Sequence, residues 1–162
     1  MIYNQRRIPR EQWRYGLRAS ADIGCGWVAV YNALCILDRR EEPEALIREF
    51  QRQVPFINGV LGSFVGSPAI CLHRRGYHLK ISNARSRYDD MAKEARVCIL
   101  SYYWRKKNRI GAHFVALRWT GDHFEGYNTF PYSRGPDNYG PSLEAFLTKR
   151  GYFATVLTMV MQ

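Results

Sequence analysis

Two glycines flank a cysteine where an apolar pattern of helical period begins, in Asp22-Ile23-Gly24-Cys25-Gly26-Trp27-Val28-Ala29-Val30-Tyr31-Asn32-Ala33-Leu34. Trp27, Val28, Val30, Tyr31, Leu34 and Leu37 recur at roughly helical spacing, which predicts an amphipathic helix from about Cys25 to Leu37. Cys25 then sits in the first turn. Backbone N–H groups without intrahelical partners and the positive end of the helix dipole favour a thiolate there. A thiolate is the nucleophilic form of cysteine. The question is whether the chain also supplies a base and a group to orient that base.

The 162 residues suit a single domain, 1–162, with a real core, and 46% apolar and 14% aromatic residues exclude a disordered chain. No apolar run is long enough for a membrane span. The opening MIYNQRRIPREQ is basic and has no apolar stretch of the signal-peptide kind, so a cytoplasmic protein is expected, with export left open. Cys25, Cys35, Cys71 and Cys98 form no CxxC, and no paired-His spacing accompanies them. That argues against a zinc site or a disulfide framework, and no metal or cofactor is expected. Cys35, Cys71 and Cys98 have apolar neighbours and read as core residues. The net charge of +10 suggests an anionic partner: nucleic acid, an acidic peptide or an anionic cell-wall polymer. A solvated basic face is the plainer reading of the same number.

Along the chain, helices come mainly first and strands mainly last. Residues 1–24 are basic and irregular, with a turn at Tyr15-Gly16 and candidate caps Ser20 and Asp22. Pro43 opens a helix over 44–52, whose apolar face is Ala45, Leu46, Ile47 and Phe50. Residues 54–67, with Gly59, Gly62 and Gly66, read as a loop lying on the core. Pro68 starts a helix to about Arg75, closed by Gly76. A strand at 78–82, a short helix at 88–95 and a strand at 96–104 follow, then an exposed basic loop at 105–109. Residues 113–119 and 123–128 alternate about Thr120-Gly121-Asp122 and read as a hairpin. After a Pro/Gly-rich loop at 131–141, Ser142 caps a helix over 143–150, Gly151 ends it, and 152–161 forms a closing strand. This order predicts an α+β fold with an antiparallel sheet, its N-terminal helices packed on it.

Of four histidines, His113 is best placed as a base: it opens a strand, follows the small residues Gly111-Ala112 and lies far from Cys25 in sequence. His73 sits among arginines, and His78 and His123 lie near turns. With the hairpin turn at Gly121-Asp122, Asn128 falls opposite roughly Phe114, beside His113. Its amide oxygen can accept from the imidazole and fix the tautomer.

Taken together, Gly24-Cys25-Gly26 opening a helix, Gly111-Ala112-His113-Phe-Val-Ala-Leu, and Tyr127-Asn128 one hairpin later resemble papain-like cysteine peptidases. The nearest group is the leader-cleaving (double-glycine) peptidases of bacterial bacteriocin exporters. Tyr3-Asn4-Gln5, Trp13 and Tyr15-Gly16 also look like a branch of it. The resemblance covers almost the whole chain. It implies a papain-like fold with Cys25 as nucleophile, His113 as general base and acid, and Asn128 orienting His113. Gln5 would help the backbone N–H of Cys25 hold the oxyanion, with Gln12 as a competitor. The glutamine that papain relatives carry six places before the cysteine falls here at Ala19, and Trp27 stands where Pro or a small residue is common.

The resemblance implies a thiol-dependent hydrolase working through a thioester on a peptide or amide, acidic or cell-wall derived. Tyr102, Tyr103, Trp104 and Trp119 are candidates to line its cleft, and the 105–109 segment to attract an acidic substrate. Two other classes stay open. One is a papain-like acyltransferase or deamidase with the same residues. The other is a silent papain-like domain that binds nucleic acid or another polyanion through its basic face. The oligomeric state is not legible.

Overall fold

In the computed structural model, residues 1–53 and 62–161 are described. β1 (Arg14–Tyr15) and β2 (Arg18–Ala19) form a small hairpin turned at Gly16, φ 59°. The remaining strands are β3 (Leu79–Ser82), β4 (Val97–Lys106), β5 (Arg109–Trp119), β6 (Phe124–Tyr127), β7 (Asp137–Asn138) and β8 (Phe153–Val160). They build one six-stranded sheet in the order β3-β8-β4-β5-β6-β7, antiparallel throughout. The closing strand β8 is therefore central, paired with both β3 and β4. The fold is α+β with an antiparallel sheet, as the order of elements implies.

The helices are α1 (Ser20–Ile23), α2 (Cys25–Ile36), α3 (Pro43–Arg52), α4 (Ser67–Arg74), α5 (Tyr88–Glu94) and α6 (Leu143–Arg150). Alternation along the strands divides the core in two. Val97, Ile99, Phe114 and Ala116 pack with α2, α3 and α4 on one face. Cys98, Leu100, Tyr102, Val115 and Leu117 pack with α5 and α6 on the other. Helices thus cover both faces, not one, which explains why Val97 to Tyr102 are buried without interruption. Cys35, Cys71 and Cys98 are buried, as their neighbours suggest.

α2 departs from the amphipathic expectation. Ten of its twelve residues are buried, because the sheet, α3, α4 and the N-terminal segment surround it. Each of the fully buried Trp27, Val28, Val30 and Leu34 contributes about 1.5–3 kcal/mol as an upper estimate. Its buried Asn32 is satisfied by the chain's start: Ile2 N donates to Asn32 Oδ1 at 2.8 Å, and Asn32 Nδ2 donates to the Ile2 carbonyl at 2.8 Å.

The two glycines beside Cys25 are demanded by packing. A Cβ on Gly24 would lie 2.6 Å from the Ser20 carbonyl oxygen and 2.6 Å from Trp27 Nε1. One is backbone; the other belongs to an indole with no exposure that donates to Ser20 Oγ at 3.1 Å. A Cβ on Gly26 would strike Ser63. The expected glycine loop survives here only in part, since residues 54–61 lie outside the described residues.

The basic segment 105–109 is not a loop. β4 runs to Lys106 and β5 resumes at Arg109, so only Lys107 and Asn108 form the turn, with Lys107 at φ 51°. Two residues suffice to close an antiparallel pair when the turn adopts positive φ. Arg105 and Lys106 therefore ride on a hairpin arm. Among the described residues, no helix is long and apolar enough to cross a membrane.

Gly24→Ala is expected to lower stability by about 1–3 kcal/mol, because neither neighbouring atom can give way. That is roughly 2–12 °C in Tm for a chain of this size. Gly135→Ala, whose Cβ would meet nothing within 4 Å, is the control and should change stability by no more than about 0.5 kcal/mol. Thermal melts of the two variants measure the difference.

Candidate active site

The site forms where the sheet opens. β5 pairs with β6 only from Ala116 to Trp119, while its earlier residues keep β4 on one side and have a free edge on the other. The start of α2 fills that edge. The backbone N–H groups of Phe114, Cys25 and Gly26 lie near Cys25 Sγ and pull its pKa down. Burial nevertheless pushes the thiol up from 9.0 to about 11.

The expected thiolate is thus a neutral thiol at rest, and magnitudes say why. Raising the thiol that far corresponds to about 3 kcal/mol, whereas a helix dipole supplies about 0.3–1 kcal/mol near its N-terminus. The dipole is also not fresh at Cys25. Gly24 N donates to the Ser20 carbonyl at 2.8 Å and Val28 N to the Gly24 carbonyl at 3.1 Å, so a helical turn precedes the cysteine.

His113 lies opposite Tyr102 in the β4–β5 ladder. Their rings meet edge-on, 5.8 Å between centroids, and Tyr102 stacks on Tyr152 at 4.2 Å. His113 Nε2 lies 2.6 Å from the carbonyl oxygen of Asn128. A carbonyl can only accept, so the proton sits on Nε2 and Nδ1 is the free acceptor of the neutral ring. Burial lowers the His113 pKa below 6.5; the Asn128 carbonyl opposes this and the charge of Arg6 adds to it. Among the described residues, no hydrogen bond joins Cys25 Sγ to His113.

Asn128 therefore touches His113 differently from the expectation: through its carbonyl, not its amide. The β5–β6 register pairs Ala116 with Tyr127, which would carry Asn128 opposite Val115, one residue from the expected Phe114. β6 has already ended at Tyr127, and Asn128 takes a left-handed φ of 68°. That turn aims the carbonyl at His113 and swings the side chain to the N-terminal segment. There Gln5 N donates to Asn128 Oδ1 at 2.8 Å, and Asn128 Nδ2 donates to Gln5 Oε1 at 2.9 Å. Gln5 Nε2 reaches the Ala21 carbonyl at a long 3.4 Å. A second tie lies alongside, where Asn4 Nδ2 donates to the Pro131 carbonyl at 2.6 Å.

The structure thus brings Gln5, His113 and Asn128 together on one cleft, while Cys25 is buried beside Phe114 and is not among the residues that line it. Gln12 is exposed in the turn after Pro9 and takes no part. His73 and His78 are exposed, and His123 Nδ1 lies 2.8 Å from Asp122 Oδ1.

The cleft has a volume of about 550 Å³. Tyr102 and Trp104 line it; Tyr103 faces the opposite side against Phe153, and Trp119 packs on Phe124. A Cβ on Gly111 would run into the Trp104 indole, so this glycine lets the ring lie across β5. Arg105 and Lys106 reach the cleft, and so do Arg6 and Arg150; sequence reasoning placed neither Arg6 nor Arg150 beside His113. Arg6 lies in the short turn Gln5–Arg7, and Arg150 ends α6. Each belongs to a pair of adjacent cations, Arg6-Arg7 and Lys149-Arg150, and only the fold reveals that they share a cleft. Among the described residues, no group of three or more His, Cys, Asp or Glu is arranged to hold a metal ion.

No protein-family model and no curated protein matches the chain. Among solved structures, it is similar to the peptidase domain of Streptococcus ComA, a bifunctional ABC transporter involved in a quorum-sensing pathway. That match has a TM-score of 0.58 at 12% identity and covers 85% of this chain and 91% of the other. The Pseudomonas avirulence protein AvrPphB matches with a TM-score of 0.47 at 12% identity, over 86% of this chain and 92% of the other. The fold is the papain-like fold shared with the ComA peptidase domain.

Two outcomes follow from the geometry. The rate at which iodoacetamide alkylates Cys25 should climb steadily from pH 6 to pH 9, because thiolate is scarce until near pH 11. A rate that is flat over this range would mean a preformed thiolate–imidazolium pair. Asn128→Ala should cost about 1–3 kcal/mol by orphaning the buried Gln5 groups. It should leave the His113 Nε2–H bonded, seen as a persistent imidazole N–H resonance by NMR.

Proposed function

We propose that the protein is a thiol-dependent peptidase or amidase that works through a covalent thioester. One observation carries this reading. Burial keeps His113 neutral, and its hydrogen bond from Nε2–H to the Asn128 carbonyl fixes the tautomer that leaves Nδ1 unprotonated. The next residue on β5, Phe114, has its backbone N–H near Cys25 Sγ. This reading therefore assigns the free lone pair of Nδ1 to the Cys25 thiol. Papain-like peptidase neighbours support a peptide as the substrate class.

In this mechanism, Nδ1 of His113 takes the Cys25 proton as Sγ attacks the substrate carbonyl carbon. Electrons move onto the carbonyl oxygen, which the Cys25 N–H and Gln5 Nε2 would stabilise. Collapse of the tetrahedral intermediate breaks the C–N bond, and imidazolium His113 protonates the departing amine. Water, deprotonated by His113, then attacks the thioester. Carboxylic acid leaves, and the proton returns to Sγ. If an amine replaces water, the same residues perform acyl transfer. Nothing in their arrangement favours the amine.

Asn128 serves twice in this reading. Its carbonyl fixes the His113 tautomer, and its amide holds Gln5 against the cleft. The long Gln5 Nε2 contact to the Ala21 carbonyl is a weak bond that an oxyanion can outcompete.

A peptide library with free N-terminal amines on its products should be turned over at pH 7–8. Cys25→Ala and His113→Ala should each lower kcat/KM roughly a thousandfold or more, and Gln5→Ala roughly a hundredfold or more. Turnover that survives Cys25→Ala would remove the cysteine from the chemistry. Turnover only when an amine is added would make the protein a transferase.

A further inference from the structure

The cleft carries charge in a proportion the whole chain does not. Overall, 24 Lys and Arg face 14 Asp and Glu. In the cleft, Arg6, Arg105, Lys106 and Arg150 face only Asp22. Asp22 is already neutralised, since Arg10 Nη2 and Nη1 lie 2.6 and 3.1 Å from its two oxygens. The four cations come from three separate elements: the N-terminal segment, the tip of the β4–β5 hairpin arm and the last turn of α6. A general basic surface would not draw three elements together in this way.

Position adds to number. Arg6 directly follows Gln5 and is close enough for its charge to act on His113. Arg105 and Lys106 are the last residues of β4, beyond the Trp104 indole that walls the cleft. Arg150 lies over the Phe130 ring at 4.7 Å, and Phe130 stacks on Tyr132 at 5.1 Å. The cations thus line the same cleft as His113 rather than form a remote patch. No salt bridge neutralises any of the four among the described residues.

We propose that this cleft selects acidic peptides, whose carboxylates flank the scissile bond and pair with Arg6, Arg105, Lys106 and Arg150. The proposal rests on the peptidase reading above and names the substrate class of that site. Opposite charge favours a carboxylate-bearing chain in two ways. It raises the encounter rate through the local field, and it adds short-range pairing at the rim. The cations stay partly wet, so each is expected to change kcat/KM by roughly 2- to 5-fold, with the discrimination coming from their sum.

The test compares two fluorogenic peptides of equal length, one with Glu and one with Gln at the positions flanking a common cleavage site. The wild-type protein should prefer the Glu peptide in kcat/KM by about 10-fold or more at 10 mM salt. That preference should shrink at 150 mM, where screening shortens to about 8 Å. In Arg105→Glu/Lys106→Glu the preference should collapse or invert. Arg48→Ser, which removes an exposed charge outside the cleft, should leave it intact. Fluorescence anisotropy with Cys25→Ala measures binding of the same peptides without turnover, with a single-stranded oligonucleotide as competitor.

Equal, Cys25-dependent cleavage of both peptides would overturn the charge selection alone and leave the peptidase standing. A Glu preference in anisotropy, with no cleavage of either peptide by the wild type, would sink the peptidase and leave the acidic-peptide cleft standing. An oligonucleotide that binds more tightly than the Glu peptide would overturn the proposal in favour of a nucleic-acid surface. A preference lost equally in Arg48→Ser would reduce it to net charge.

Discussion

Asn128 is the node on which the site depends. β6 ends one residue before it, and a left-handed φ of 68° sends its two polar ends in different directions. The carbonyl accepts from His113, and the amide makes two hydrogen bonds with Gln5. One residue thereby joins the sheet to the N-terminal segment. Without it, residues 2–8 would still be tied by Asn32 to Ile2 and by Asn4 to Pro131, but Gln5 would lose its position. Asparagine is one of the few residues that tolerates this backbone conformation and also carries a donor and an acceptor.

Burial sets the chemistry of the cleft. It raises the Cys25 thiol and lowers the His113 imidazole, so both groups rest neutral near pH 7. Burying a charge pair would cost more than the three N–H groups facing the sulfur return. The proposed reaction separates charge only when substrate arrives and its oxygen begins to take up electrons. The same burial depends on Gly24 and Gly26, which allow Trp27 and Ser63 to close over the start of α2.

Much of this was legible from sequence where the signal is local. Pro43 at the start of α3, Ser142 accepting from Ala145 N, and Gly151 at φ 65° after α6 each punctuate an element by a rule a few residues long. The fold class followed from the order of those elements. What was missed is non-local. The thiolate expectation treated the start of α2 as an exposed helix end, whereas α1 precedes it and the sheet edge buries it. Asn128 was expected to act through its amide, because an ideal ladder says nothing about the strand ending at Tyr127. The arm at 105–109 read as a loop because its cations mask the strand alternation. Arg6 and Arg150 gave no sign of sharing a cleft, since 143 residues of chain lie between them.

The proposed chemistry requires Cys25 to carry the acyl group. Acid-quenched mass spectrometry of the protein mixed with an activated peptide ester tests this directly. One adduct with the mass of the acyl group is expected, mapped to the peptide holding Cys25, sensitive to hydroxylamine and absent in Cys25→Ala. An adduct on Cys35, Cys71 or Cys98, or substrate consumption with no adduct and no loss in Cys25→Ala, would contradict it.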